Sequence, residues 1–252
     1  MRLLPLICAL AGLPLAHAAI CYPNSFQGAY GFLLSGSTSI SGSSQPAAAV
    51  GRLVLDSSGN ISGVSSVKFT GLLLGNPVTG MYRANVDCSV TWSLQDDSGN
   101  YQHFSGTMSE HGNRIQFQQS DPGGARNGIM LVSLSMCTDG NFHGTYTLRF
   151  SGDEIDVDTN RISGKVKYTG LVKANGAGEL SYSPGVSAPF QHAGSYEVED
   201  DCFVKIELNL PPQDNTAAWN FRAIVVNGGH DLLGIESDPG MVATLRLSTK
   251  QR

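Results

Sequence analysis

Short stretches of alternating apolar and polar residues, divided by turn-forming residues, run along most of the chain. In one stretch Leu53 and Leu55 fall on one face while Arg52 and Val54 fall on the other, because successive side chains of a strand point to opposite faces. Gly, Ser, Asn and Asp cluster between the stretches. The pattern predicts eight strands in the first half of the chain: 28–35, 49–56, 60–69, 79–85, 88–95, 101–109, 113–119 and 127–135.

The same sequence landmarks occur twice along the chain in the same order. The Gly-x-Tyr sequence that begins at Gly28 returns at Gly144, and the Ser-Asp-Pro-Gly sequence at 120–123 returns at 237–240. A Tyr followed by Asp-Cys recurs as well. Landmarks that recur in order and at a nearly constant spacing indicate a tandem duplication. We therefore expect the second half to repeat the strands of the first.

Eight short strands in each repeat, with no long stretch of helical periodicity, predict an all-β chain of two tandem antiparallel up-and-down β-barrels. Glycines inside the strands, at Gly31, Gly51, Gly63 and Gly106, favour a barrel because they relieve crowding where strands coil strongly. A two-sheet sandwich is the alternative, since the number of strands does not separate the two architectures.

The first residues are typical of a secretory signal peptide. Arg2 precedes an apolar run at 3–15, and Ala16-His17-Ala18 provides the small-x-small sequence that signal peptidase cleaves. The predicted organisation is a signal peptide at 1–18, one barrel at 19–136 and a second barrel at 137–252. We expect an exported protein, in the periplasm or outside the cell, whose mature chain has no membrane span.

The cysteines fit export and follow the repeat. Cleavage after residue 18 removes Cys8 and leaves an even number, which in an exported chain suggests disulfides. Each repeat has one early cysteine, seven residues before the Gly-x-Tyr sequence, and one cysteine in the Asp-Cys landmark. The repeat therefore predicts that both bonds form within a repeat, Cys21–Cys88 and Cys137–Cys202.

Charge and composition exclude some partners. The formal net charge of −5 and the sequence pI of about 5.6 argue against a nucleic-acid partner. A single outer-membrane barrel of about sixteen strands is an alternative to two smaller barrels. Strands such as 113–119 and 145–151 place Arg, Gln, Ser or Thr on faces that would have to contact lipid, which argues against it.

Several motifs together resemble a family of exported bacterial proteins of poorly known function. They are the Gly-x-Tyr opening, the Val-Gly-Arg-Leu segment that continues from Val50 to Asn60, the Tyr…Asp-Cys pair and the late Asp-Pro-Gly. At the fold level the unit is similar to the barrel of allene oxide cyclase and to lipocalin-like barrels. The resemblance covers residues 21–135 and 137–249, and residues 171–175 depart from it. It implies a barrel fold and no catalytic residues, because nothing here matches the site of allene oxide cyclase.

The repeat identifies one set of candidate ligand-binding residues. Two pairs of tyrosines stand at equivalent positions, Tyr30 with Tyr146 and Tyr82 with Tyr196. Such phenols either pack in a barrel or line a ligand site, and we retain them as candidates.

Other chemistry is sparse in the sequence. No nucleophile elbow, phosphate-binding loop or zinc-binding spacing is present. The acidic segment at 153–158 suggests either a solvated loop or a weak cation site. The sequence predicts no metal, no cofactor and no catalytic residue.

These observations predict an exported, duplicated β-barrel protein that acts as a binding or structural module. Its partner would be a small apolar ligand or another protein, since a barrel of eight strands can hold one small ligand or be filled by side chains. The alternative is an isomerase or cyclase that works in a barrel cavity, because such chemistry can rest on shape and a few polar groups.

Overall fold

The computed structural model of the protein describes residues 21–40, 42–69, 72–109, 111–210 and 218–249. The predicted signal peptide and Cys8 lie outside the described residues. The first barrel, barrel 1, consists of β1 (Gly28–Ile40), β2 (Ser43–Leu55), β3 (Asn60–Phe69), β4 (Leu72–Ala84), β5 (Ser89–Asp96), β6 (Tyr101–Met108), β7 (Arg114–Gln119) and β8 (Gly124–Val132). The second, barrel 2, consists of β9 (His143–Asp156), β10 (Arg161–Asn175), β11 (Glu179–Ser183), β12 (Gln191–Val198), β13 (Phe203–Leu208), β14 (Trp219–Val226), β15 (Asp231–Glu236) and β16 (Met241–Ser248).

Each set of eight strands closes on itself. Consecutive strands pair antiparallel, and the last strand of each set pairs with the first, β8 with β1 and β16 with β9. This topology confirms the prediction of two tandem antiparallel barrels, and it excludes both the sandwich and a single barrel of sixteen strands. Among the described residues, no helix is long and apolar enough to cross a membrane.

All eight strands predicted for the first repeat are present, but β1, β2 and β4 are longer than predicted. The β1–β2 ladder continues through polar residues to the pair Ile40 and Ser43, and it includes Pro46 opposite Ser37. Backbone hydrogen bonds need no apolar side chains, so the loss of apolar alternation did not mark the end of the ladder. As a result, the hairpins β1–β2 and β3–β4 extend one end of barrel 1.

A matching plug closes the other end of each barrel. Disulfides join Cys21 to Cys88 and Cys137 to Cys202, which confirms the predicted pairing. The backbone N–H of Cys21 donates to the carbonyl of Val86, and that of Cys137 donates to the carbonyl of Asp200, at 3.0 and 3.1 Å. A single turn of 3₁₀ helix follows each early cysteine, Pro23–Ser25 or Asp139–Asn141, and the next residue is a buried phenylalanine, Phe26 or Phe142.

The two barrels pack side by side through apolar outer faces. Five outward-facing residues of barrel 1 belong to one buried cluster with residues of barrel 2: Leu33, Ala48, Val50, Ile129 and Leu131. A Cβ atom on Gly31 would lie 2.4 Å from Cγ1 of Val226, on barrel 2. The interpretation of Gly31 as a bend glycine was therefore wrong, because its missing side chain admits the neighbouring barrel. Gly63 fits the original interpretation, since a Cβ there would lie 2.0 Å from the Arg52 carbonyl oxygen.

A buried ion pair also joins the barrels. The ammonium of Lys68, on β3, lies 2.6 Å from Oε2 of Glu236, at the end of β15, and both residues are 0% exposed. Lys68 donates as well to the backbone carbonyl of Asp238, whose own N–H donates to Glu236. Burial raises the pKa of Glu236 to about 7 and lowers the pKa of Lys68, so the surroundings oppose both charges. Removing either partner would leave the other charge buried without a counter-charge, which would lower the stability of the folded protein.

Candidate functional site

The end of barrel 1 opposite its plug carries a polar cluster inside the wall. Gln102 lies opposite Leu94, and Gln119 lies opposite Phe104, so both glutamines share a face with core residues of the barrel. Arg126 follows on β8, where its guanidinium contacts both amides. We call the site formed by Val67, Leu74, Gln102, Gln119 and Arg126 the barrel-1 mouth.

Arg126 is only 7% exposed, yet no carboxylate among the described residues forms an ion pair with it. Its Nε donates to Oε1 of Gln119 at 2.7 Å, and Nη2 donates to Oε1 of Gln102 at 3.3 Å. Burial lowers the pKa of Arg126, and the charge of Asp121 partly opposes this change. Nη1 has no hydrogen bond to a described residue, so part of the guanidinium fork is free to bind another group.

Asp121 reaches the arginine only through Gln119. Nε2 of Gln119 donates to Oδ2 of Asp121 at 3.0 Å, and the other carboxylate oxygen lies 2.7 Å from Nδ1 of His103. Burial works against the charge of Asp121, but the backbone N–H of His103 and the side chains of Gln119 and His103 together hold its pKa below the ordinary value. The carboxylate therefore stays charged and orients Gln119, whose oxygen is left facing Arg126.

An apolar wall rises beside this polar cluster on the extended β3–β4 hairpin. Val67 packs on the barrel core and pairs with Leu74, and the next inward-facing pair along the hairpin is Phe69 with Leu72. Leu72 is 60% exposed and Leu74 is 43% exposed. Apolar side chains that face the axis of a barrel and still contact solvent are suited to the apolar part of a ligand.

An aromatic cluster lies below the mouth. The ring of Trp92 stacks on Phe104 at a centroid distance of 5.4 Å, and Phe117 meets Trp92 edge-on at 5.0 Å. All three residues are buried in the core of barrel 1. The mouth is therefore a polar and apolar surface above an aromatic floor.

The duplication allows the same positions to be compared in barrel 2. Phe221 lies opposite Glu236 as Phe104 lies opposite Gln119, and Leu208 lies opposite Trp219 as Leu94 lies opposite Gln102. Ala243 pairs with Gly152, as Arg126 pairs with Gly36. The equivalents of Gln102, Gln119 and Arg126 are thus Trp219, Glu236 and Ala243.

Barrel 2 is filled at this end. The Trp219 ring lies 4.7 Å from that of Phe150 and 4.8 Å from that of Tyr168. Glu236, the equivalent of Gln119, receives the ammonium of Lys68 from barrel 1. The corresponding end of barrel 2 therefore already contains a charged group that comes from outside the barrel.

The four tyrosines singled out from the sequence lie in the plugs, and each hydroxyl donates to a backbone carbonyl. Tyr30 donates to Gly112 at 2.8 Å, Tyr146 to Gly229 at 2.7 Å, Tyr82 to Asp56 at 2.6 Å and Tyr196 to Phe142 at 2.8 Å. Burial raises the pKa of Tyr30 and of Tyr146 to about 12. These hydrogen bonds give the hydroxyls a role in closing the barrels, and contact with a ligand stays a prediction.

The acidic segment at 153–158 makes local contacts. Asp153 forms an ion pair with Lys165 at 3.4 Å, and Oδ1 of Asp156 accepts the backbone N–H groups of Asp158 and Thr159. Within the described ranges, no three His, Cys, Asp or Glu side chains are grouped so as to hold a metal ion.

Sequence reasoning missed Gln102, Gln119 and Arg126. Alternation along a strand shows which residues share a face, but at a polar barrel end it does not show which face is inside. The two aligned copies held a usable signal, because Arg126 in one copy corresponds to Ala243 in the other. A charged residue that replaces a small one within a repeat identifies a position where the two copies differ in role.

Comparison with known proteins gives little further information. No protein-family description and no curated protein sequence matches the chain, so the resemblance to a family of exported bacterial proteins stays a prediction. One similar solved structure is a protein of unknown function from the DUF3598 family of Nostoc punctiforme (12% identity, TM-score 0.28, 89% of this chain and 97% of that chain). Another is kievitone hydratase from Nectria haematococca (9% identity, TM-score 0.24, 93% and 94% covered). At these TM-scores neither similarity says what this chain does.

Proposed function

We propose that the protein is an exported binding module whose barrel-1 mouth holds a small amphipathic molecule with a carboxylate group. The observation that carries this proposal is the buried guanidinium of Arg126, which has no carboxylate partner and lies beside solvent-exposed leucines that face the barrel axis. The two disulfides are typical of proteins that function in an oxidising, exported environment.

Barrel 2 supports the proposed charge of the ligand. At the equivalent position Glu236 holds the ammonium of Lys68, which enters from barrel 1. Barrel 1 has the opposite charge inside its end, and no described residue enters to neutralise it. A carboxylate is the natural counterpart, because the planar guanidinium offers parallel N–H donors that match its two oxygens.

The apolar part of the ligand would lie along the β3–β4 hairpin. Val67 and Leu74 face each other on the inner side, and Phe69 and Leu72 extend the surface outward. Covering such side chains contributes about 25 cal/mol per Å² of apolar area removed from water. We expect a medium-chain fatty acid to bind with its carboxylate at Arg126 and its alkyl chain along this hairpin.

A head-group comparison tests the proposal. Dodecanoate and dodecanol are each titrated against the protein by displacement of the fluorescent dye anilinonaphthalene sulfonate. Wild-type protein should bind dodecanoate about tenfold or more tightly than dodecanol, since a charge-assisted hydrogen bond is worth about 1.5–3 kcal/mol. Arg126→Met should remove this preference and leave dodecanol binding nearly unchanged.

Arg83→Met serves as the matched control, because Arg83 is exposed on β4 and is not part of the mouth. This variant should keep the preference for the carboxylate. Equal affinities of the wild-type protein for dodecanoate and dodecanol, or a preference that survives Arg126→Met, would overturn the proposal.

A further inference from the structure

A groove between the barrels brings together arginines from both repeats. One part of the groove, with a volume of about 370 Å³, is lined by Arg114, on β7, and Arg246, on β16. An adjoining part of about 400 Å³ is lined by the same two arginines. Because one arginine comes from each barrel, the groove exists only in the tandem arrangement. We call it the arginine groove.

The charges in the arginine groove are poorly balanced. Arg246 lies directly across the β9–β16 ladder from a third arginine, Arg149, and like charges at opposed positions of a sheet destabilise it. Burial lowers the pKa of Arg246, and the charges of Arg114 and Arg149 lower it further, against the opposing effect of Asp231. Asp231 is the acidic residue among the lining residues, and its carboxylate accepts a hydrogen bond from Asn227 at 2.8 Å.

The guanidinium of Arg246 makes no hydrogen bond and no ion pair with any described residue, although the side chain is half-buried. Arg114 is exposed, and its guanidinium likewise has no described partner. This concentration of unpaired positive charge stands in a chain with 21 acidic and 16 basic residues. Arg114, Arg149 and Arg246 carry three positive charges, and Asp231 carries one negative charge. An anion with two negative charges would balance the difference.

Polar groups outnumber the apolar side chains in the rest of the lining, where Leu33, Phe117 and Ile129 stand in one part and Leu131 in the other. Amide groups come from Gln116 and Asn127 in one part and from Asn113 and Asn227 in the other, and hydroxyl groups come from Ser248 and Thr249. These groups fit a hydroxylated molecule better than an apolar one. We infer that the arginine groove binds a small, polar phosphate monoester, whose phosphate lies between Arg114 and Arg246. This site is separate from the barrel-1 mouth.

Calorimetric titration of the full protein with inorganic phosphate and with glycerol phosphate tests the inference. Both should bind, and glycerol phosphate should bind more tightly, because the amides and hydroxyls of the groove can contact its organic part. Tighter binding of inorganic phosphate would identify the free ion as the ligand and overturn the monoester. Arg246→Gln and Arg114→Gln should each weaken binding about tenfold, because each removes charge-assisted hydrogen bonds.

Arg83→Gln makes the same charge change on an exposed arginine that lines neither part of the groove, and it should leave binding unchanged. Arg126→Met should also leave it unchanged, which separates this site from the mouth. Arg114 is exposed, so its variant reports on binding even if Arg246→Gln disturbs folding. Failure of the wild-type protein to bind either compound at millimolar concentration, or unchanged binding in Arg114→Gln, would overturn the inference.

Discussion

At the plug ends, Phe26 of barrel 1 and Phe142 of barrel 2 each meet two tyrosine rings at centroid distances between 4.8 and 5.3 Å. At the opposite ends, Arg126 of barrel 1 stands where barrel 2 has Ala243. The two copies therefore share the plug end, where the disulfide and the aromatic contacts hold the fold together, and they differ at the opposite end. The end of barrel 2 that differs binds barrel 1 through Lys68, while in barrel 1 no described carboxylate forms an ion pair with Arg126.

The largest effect should come from breaking the contact between Lys68 and barrel 2. Glu236→Gln leaves the Lys68 ammonium buried without a counter-charge, and we expect a loss of about 3–5 kcal/mol in the free energy of unfolding. Chemical denaturation measures it. The double variant Lys68→Met with Glu236→Gln should recover most of the loss, whereas a double variant as unstable as the single one would contradict the account of the ion pair.

The next effect should come from the apolar interface. Gly31→Val places side-chain atoms where Val226 already lies, and overpacking of this kind costs about 1–3 kcal/mol. Thr147→Val, at the equivalent position of barrel 2, is the matched control and should change stability by less than about 0.5 kcal/mol. Thermal unfolding that gives equal effects for the two variants would mean that Gly31 does not mark the interface.

A smaller and symmetrical effect is expected at the plugs. Tyr30→Phe and Tyr146→Phe each remove a hydroxyl that donates to a buried glycine carbonyl, Gly112 or Gly229. Each should cost about 1–2 kcal/mol, and the two losses should be similar, since both hydroxyls donate to the equivalent glycine carbonyl and the second contact of Tyr146, with the exposed His143, is the longer one at 3.0 Å. Denaturation curves that show a loss in only one variant would show that the plugs differ in strength.

The smallest change in stability is expected at the barrel-1 mouth. Arg126→Met removes hydrogen bonds to two glutamines but also removes a buried charge without a carboxylate partner, so the free energy of unfolding should change by no more than about 1 kcal/mol. Ligand-binding residues are often kept at some cost to stability. A loss above about 2 kcal/mol in denaturant titrations would instead assign Arg126 a structural role.

Much of the fold follows from the sequence because its determinants are local or repeated. The turn at residues 56–60 is specified by Asp56, whose carboxylate accepts the backbone N–H groups of Ser58 and Asn60. The repeat then assigns the cysteines, which sequence spacing alone leaves ambiguous. The ends of the long hairpins were missed, because polar residues and Pro46 can continue a ladder of backbone hydrogen bonds.

The candidate sites depend on contacts between distant parts of the chain. Lys68 and Glu236 are separated by 168 residues, and no local pattern relates them. Arg114 and Arg246 line the same groove only because the two barrels pack against each other. The position of the Gln119 side chain depends on a local feature that periodicity does not reveal. A Cβ on Gly124 would lie 2.2 Å from the amide oxygen of Gln119, so the glycine at 124 leaves room for the glutamine side chain.

A crystal structure of the protein with dodecanoate would show whether the two barrels differ in what they bind at the ends opposite their plugs. We predict a carboxylate within hydrogen-bond distance of the Arg126 guanidinium, an alkyl chain along Val67 and Leu74, and no ligand in barrel 2, where Lys68 already contacts Glu236. Dodecanoate inside barrel 2, or bound only on the outer faces of the barrels with Arg126 unchanged, would contradict this difference between the barrels.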